Sequence, residues 1–481
     1  MKQIKPTGLV LLALFMAQTA FSQSTKIPAS KKAVIASVDK HQAELTRLSD
    51  QIWEFAEIAM DETQSASLLA DYAESQGFTV ERGVADIPTA FIASYGSGRP
   101  IIGIMGEYDA LPGLSQKAQP SKEARIEGAP GHGCGHNLFG PGSLGAALAI
   151  KELIEQGTLR GTVRFYGTPA EEDKAGKVYM ARAGLFDDLD ICLDWHPGDQ
   201  NVAGVQSSQA VNDYYFEFFG KAAHAAYDPW NGRSATDAAD LFIAGVNAYR
   251  EHLRPTVRIH HVTLDAGQVP NVIPEYARVW LWVRDSKRTG VNEVSERVKQ
   301  IAEGAALMAG VEHKVTLNSG LYEILVNRTG ATALQKNMEI LGPIRYTPEE
   351  IAFAKSIQTA TGTPARGING GIEPLGETPD HPSGGSTDVG DVSWIVPEIS
   401  LGATTAPAAT PWHSWAVVAC GGMSIGHKGM LFAAKSLGMT MVDLFEDTAL
   451  REAMKKEFRE RKGSEVYEAQ VPAGPPPGPG Q

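Results

Sequence analysis

One loop of the chain carries a thiol and two imidazoles within five residues, in Gly131-His132-Gly133-Cys134-Gly135-His136-Asn137. Glycines between the candidate ligands let the backbone turn tightly, so that thiolate and imidazole can point at one spot. Such donors suit Zn²⁺, and Mn²⁺ where carboxylates join them. Carboxylates are at hand in Glu107-Tyr108-Asp109 and in Pro169-Ala170-Glu171-Glu172, and a further imidazole in Asp194-Trp195-His196-Pro197. Each fragment alone has a plainer reading. Cys134 could be a buried small hydrophobe or half of a disulfide. With His136 it could form a nucleophile and base, although residues two apart in a tight loop rarely align for proton transfer. Glu171-Glu172 could open a solvated helix, His196 could be a satisfied core histidine, and Glu107 and Asp109 could cap a loop.

The elements around these residues decide how much weight they carry. Residues 101–105, 162–166 and 189–193 read as buried strands, and helical patterns cover 30–80, 143–156 and 179–185. This alternation is that of an α/β fold with a mainly parallel sheet. Glu107 and Asp109, then Glu171 and Glu172, then His196 follow successive strands, and sites in open parallel sheets form at strand carboxyl ends. Near Val211 the pattern changes. Strands at 211–219, 257–264, 277–283 and 315–317, with helices at 234–253 and 291–308, give the order β-α-β-β-α-β of a ferredoxin-like α+β unit. Tyr214, Phe216, Trp280 and Trp282 are read as an exposed aromatic face, either a local core or a surface that meets a second chain. From about Leu325 the α/β pattern resumes, with a strand at 395–401 and a helix at 423–437. The expected organisation is a discontinuous metal-binding domain (30–210 plus 323–450) interrupted by a lid or dimerisation domain (211–322).

The chain has 481 residues, 43% of them apolar and 21% charged, with a net charge of −13. This is a globular composition, and the acidic balance argues against a nucleic-acid partner. Lys2, Lys5, the short apolar run 8–17 and the small residues near Ala20 read as an export signal over 1–22, which would leave the mature protein periplasmic or secreted and free of the membrane. The Pro/Gly-rich end, 465–481, reads as a disordered, solvated tail. Three cysteines are too few for a disulfide scaffold, and Cys192 and Cys420 are taken as core thiols.

The fragments together resemble the co-catalytic metallopeptidase and amidohydrolase family of aminoacylases, hippurate hydrolases and carboxypeptidase-G-like enzymes. The likeness runs through Gly220–Ala226 (GKAAHAA), 269–274 (VPNVIP), 386–393 (STDVGDVS) and Trp412-His413-Ser414-Trp415. Residues 106–116 (GEYDALPGLSQ) and 427–430 (HKGM) are most similar to the branch that acts on p-aminobenzoyl-glutamate. The resemblance implies two divalent metals, Zn or Mn, on Cys134, His136, Glu172, His196 and His413, with Cys134 in place of a bridging carboxylate. It implies Glu171 as general base, Asp109 as the acid that orients a ligand histidine, His224 and Asn271 as lid groups that reach the site across a dimer interface, and Arg284 as a holder of a substrate carboxylate. His427 competes with His413, but it falls inside a helical pattern. The expected substrate is an N-acyl amino acid, with a dipeptidase or carboxypeptidase, a non-catalytic protein, or a subunit dependent on a homologous partner as alternatives. A homodimer is the expected assembly. Tyr108, Trp195, Trp230 and Trp412 are compatible with an aromatic substrate.

Overall fold

The computed structural model describes residues 27–379, 382 and 384–478. The export signal expected at 1–22 and the last three residues of the tail lie outside them. Six strands precede the inserted unit: β1 (Thr79–Arg82), β2 (Phe91–Gly96), β3 (Ile101–Gly106), β4 (Thr162–Gly167), β5 (Ile191–Gly198) and β6 (Val202–Ala203). Four form that unit, β7 (Ala210–Phe219), β8 (Arg258–Asp265), β9 (Tyr276–Asp285) and β10 (Glu312–Leu321), and β11 (Glu398–Thr404) follows it.

The large sheet runs β1-β2-β4-β3-β5-β11-β6. Its centre, β4-β3-β5-β11, is parallel, and its margins are antiparallel. Helices cover both faces, which is why the central strands are mostly apolar and buried. On one face the helices Ala29–Phe55, His136–Glu155 and Ser424–Glu446 share a core in which Leu45, Leu144 and Ala434 are fully buried. On the other, Met180, Phe186 and Val392 form a smaller cluster. The helix His136–Glu155 presses close on the end of β3, where a Cβ on Gly106 would stand 2.9 Å from the Gly140 Cα. Gly140 N–H donates to the Glu107 carbonyl at 3.0 Å. That approach fixes the strand end from which Glu107 and Asp109 project.

The smaller sheet runs β10-β7-β9-β8, antiparallel throughout, with helices Ala235–Arg250 and Arg288–Ala309 packed on one face. This is the ferredoxin-like arrangement. The aromatic face needs correction. Tyr214 and Phe216 pair with Leu281 and Val279 and are buried beneath the helices, whereas Tyr215 and Asp213 pair with Trp280 and Trp282 on the opposite face. Successive side chains of a strand point to opposite sides, so one exposed face cannot hold all four aromatics. The last strand is also longer than expected, with a register shift between Leu317 and Ser319.

The tail is not simply solvated. The Tyr467 hydroxyl bonds Asp391 Oδ1 at 3.0 Å, Gln470 bridges to Gly320, and the Arg182 guanidinium donates to the carbonyls of Pro472 and Gly474, each at 2.7 Å. Proline removes donors but leaves carbonyls free to accept, and Tyr467 and Val471 add apolar contact with the core.

Candidate metal centre

The donors gather at the carboxyl ends of β3, β4 and β5 and at the start of the helix His136–Glu155. Gly135 makes the gathering possible. It sits at φ +84°, and a Cβ there would lie 2.9 Å from Pro197. Cys134 and His136 on either side of it therefore come up against His196. Cys134 Sγ is 3.3 Å from His196 Nε2, and His196 Nδ1 lies 2.7 Å from the Pro197 carbonyl, which fixes the ring with Nε2 inward. His136 Nδ1 bonds Asp109 Oδ1 at 2.8 Å, and Asp109 Oδ2 accepts the Glu172 N–H at 2.9 Å, so one carboxylate orients two donors. Ala170, at φ +62°, turns the chain sharply between β4 and Glu171, and its N–H is held by Glu62 Oε1 at 2.8 Å. His413 is also left-handed, φ +54°, with its N–H on the Gly133 carbonyl at 3.0 Å. A β-carbon residue there costs ~1 kcal/mol or more. It brings His413 Nε2 to 3.5 Å from Glu172 Oε2.

Two triads result, Cys134-His136-His196 and Cys134-Glu172-His413, with the donor atoms of each within 4.8 Å of one another. Cys134 belongs to both. A third group of the same compactness joins Glu107, His136 and Glu171. Glu107, Asp109, Glu171, Glu172 and Asp388 converge here with the thiol, against one buried ammonium, Lys177. Burial pushes the Cys134 thiol up to about 12 and the Glu172 carboxyl up to about 7, and it lowers His196 to about 4. Burial, then the charges of Glu107 and Asp388, raise Glu171 well above the ordinary range. Glu107 Oε2, His136 Nε2 and Glu172 Oε1 are buried without a hydrogen bond, each at a cost of ~1–3 kcal/mol. Divalent cations would satisfy these atoms and offset the negative charge. The thiolate, imidazole and carboxylate set is one that such ions accept.

The expected residues divide into those the fold assembles and those it does not. Cys134, His136, Glu171, Glu172, His196, His413 and Asp109 are together. His224 and Asn271 are exposed on neighbouring loops of the lid, where Ala225 N–H bonds the Asn271 carbonyl at 3.0 Å, and they belong to none of the donor groups. Arg284 is half-buried and stacks on Trp282 at 4.9 Å, with no ion pair among the described residues. Burial lowers its pKa. His427 lies in the helix Ser424–Glu446 with Nε2 2.9 Å from Asp50 Oδ1, and His132 is buried with Nε2 2.9 Å from the Ile52 carbonyl. Cys134, Cys192 and Cys420 are all free and buried. Tyr108 and Trp195 are core residues, Trp412 packs beside the smaller cluster around Cys420, and Trp230 is exposed on the lid. Glu62 and Lys177 have no part in the expectations from sequence, and Asp388 enters them only within the stretch 386–393, with no role assigned. A lysine within the buried turn Gly176–Arg182 is the signal that could have revealed one of them.

The profile of peptidase family M20/M25/M40 matches residues 103–341. The chain is 38% identical over 472 residues to the B-type subunit of the p-aminobenzoyl-glutamate hydrolase of Escherichia coli strain K12, a match that covers 92% of this chain and 98% of that protein. It is 28% identical over 456 residues to the Xaa-Arg dipeptidase of Mus musculus, with 92% and 95% covered. In fold it is similar to a Bacillus subtilis protein described as a dinuclear metal-binding peptidase of the M20 family, with TM-score 0.57 and 19% identity over 85% of this chain and 99% of that one. With the profile lying across the strands that carry most of the donors, and the first of these likenesses sustained over nearly both whole lengths, the chain belongs to peptidase family M20/M25/M40.

Proposed function

We propose that the chain, a hydrolase acting on amide bonds, cleaves N-acyl amino acids, with p-aminobenzoyl-glutamate or a close analogue as substrate and two divalent cations, Zn²⁺ or Mn²⁺, as cofactors. The observation that carries the reading is the pair of donor triads sharing Cys134. The likeness to a p-aminobenzoyl-glutamate hydrolase supports the substrate. Cys134, His136 and His196 would hold one cation, and Cys134, Glu172 and His413 the other, with Asp109 orienting His136. Bound there, the cations supply charge that polarises the scissile carbonyl and acidifies water. Glu171 takes the proton from the attacking water and hands it to the leaving nitrogen.

The lid supplies recognition. Arg284 holds a substrate carboxylate. Asp213, Tyr215, Trp280 and Trp282 share its face of the sheet, and the charge of Asp173, next to Glu172, reaches Asp213 and Tyr215. His224 stabilises the oxyanion and Asn271 holds substrate, both in the site of a second copy. The apolar surface around them supports a homodimer: Val262 and Leu264 on the outer strand β8, with Val269 and Val272, are 41–56% exposed. A homologous partner subunit is the other assembly in keeping with the relative's name. The pattern of residues 1–22 directs the mature chain to the periplasm or outside the cell.

The test is hydrolysis by the mature, cation-loaded protein of p-aminobenzoyl-glutamate, other N-acyl amino acids and Xaa-Arg dipeptides. The expected result is the highest kcat/KM on p-aminobenzoyl-glutamate. A preference for dipeptides moves the chain to the peptidase reading, and hydrolysis only after a homologous partner is added makes it partner-dependent.

A further inference from the structure

Glu107 and Asp109 leave the same strand end two residues apart, yet their carboxylates are used differently. Asp109 has both oxygens occupied, one by the His136 ring and one by the Glu172 N–H. Glu107 has one occupied. Its Oε1 takes the Lys177 ammonium at 2.5 Å, and Lys177 is itself clamped by Asp388, through Oδ1 at 2.6 Å and through the backbone N–H on Oδ2 at 2.9 Å. The clamp turns Oε2 inward. There it stands 3.0 Å from His136 Nε2, with the two side chains 1% and 0% exposed, and neither atom makes a hydrogen bond.

A plain Glu–His ion pair would aim the ring N–H at the oxygen. Here the two atoms are close without that alignment, as are two donors directed at a third point. With ligand distances of ~2.1 Å, donors about 3 Å apart are neighbours around a single divalent ion. The support from Lys177 and Asp388 is also what a ligating carboxylate needs, since its second oxygen is otherwise free to swing.

We propose that Glu107 is a further metal ligand, giving Oε2 to the cation that His136 holds. This rests on the two-cation reading above. It makes Lys177 and Asp388 positioning residues, which act through Glu107. Glu171, in the same compact group, then lies against that cation's ligand shell.

The test compares the full-length wild-type protein with Glu107→Gln, both stripped by a chelator and reloaded with Co²⁺. The expected result is an affinity lowered at least tenfold at one of two sites, with a changed d–d absorption, while the thiolate-to-Co²⁺ band of Cys134 persists. Unchanged affinity at both sites with an unchanged spectrum overturns the proposal and leaves Glu107 as the counter-ion of Lys177. Should Glu107→Gln not fold, a crystal structure of the zinc-loaded wild-type protein decides. Glu107 Oε2 within ~2.3 Å of an ion supports the assignment, and a distance beyond bonding range overturns it. A wild-type protein that takes up no cation, in solution or crystal, overturns the two-cation reading and this proposal together. Uptake of two cations without Glu107 in contact overturns this proposal alone.

Discussion

The strand-end cluster and the lid loop that carries His224 and Asn271 hold their polar residues in opposite ways. In the cluster most donors are enclosed and several are locked by a second group, His136 by Asp109, His196 by the Pro197 carbonyl and Glu107 by Lys177, while His413 is exposed and tied through its backbone N–H to the Gly133 carbonyl. On the lid, His224 and Asn271 are exposed, and His224 Nδ1 accepts from the nearby backbone N–H groups of Ala226 and Tyr227 at 3.2 and 3.0 Å. The first region is finished by the folding of one chain. The second is shaped locally and has no target within its own chain's donor groups. A rigid sheet can place groups to within fractions of an ångström, and a peripheral loop achieves the same only when another surface completes it.

The sharpest way to break this contrast is Glu171→Gln. It is expected to lower kcat by roughly 10²–10⁴-fold with the content of two cations unchanged by elemental analysis. Retained turnover would remove Glu171 from the proton transfer. His224→Ala is expected to cost roughly 10²-fold in kcat, again at full cation content. The contrast is sharpened by mixing. If His224 serves the neighbouring copy's cluster, co-refolding His224→Ala with Glu171→Gln restores about a quarter of wild-type activity, since half the dimers are mixed and each carries one intact site. No recovery on mixing would confine His224 to its own chain.

A third test concerns the cluster alone. Cys134 is raised to about 12 and Glu172 to about 7 without a cation. Both must lose protons to bind one, so apparent cation affinity should rise with pH. Glu107, Cys134 and Asp109 also hold His136 protonated well above its usual range, against its burial, so the slope exceeds about tenfold per pH unit above pH 7, where the thiol and the imidazolium both give up protons, and is steeper below it, where Glu172 joins them. Titration calorimetry in two buffers of different ionisation enthalpy counts the protons, and a flat profile would contradict the thiolate bridge. The smallest effect expected is that of Tyr467→Phe, whose hydroxyl bonds Asp391 and none of the candidate ligands. Loss of its bond to Asp391 should cost about 1 kcal/mol in denaturant unfolding and leave kcat unchanged.

The parts of this molecule that could be read from sequence are those with a local cause. Central parallel strands are mostly apolar, so Glu107, Glu171 and His196 could be placed at their ends, and the helix-strand rhythm of the inserted unit announced its topology. What escaped depends on distant partners or on parity. The short edge strand β1 is mostly exposed and shows no apolar run. Grouping Tyr214 and Phe216 with Trp280 and Trp282 merges the two faces of the lid sheet, because the register of β7 on β9 is written in neither strand. The role of Glu107 was hidden because it depends on Lys177 and Asp388, which come from two later stretches of sequence. The anchoring of Tyr467 depends on a buried aspartate in a helix of only five residues.

That same clamp has a bearing on synthesis. Glu107 is made early, Lys177 later, and Asp388 only after the whole inserted unit has been threaded out, with His413 later still. β11, which lies between β5 and β6, is also a latecomer to the middle of the sheet. A nascent or prematurely terminated chain shorter than 413 residues therefore carries an incomplete set of donors. On the proposed donor set, a chain that stops short of His413 would lack one ligand of the second cation.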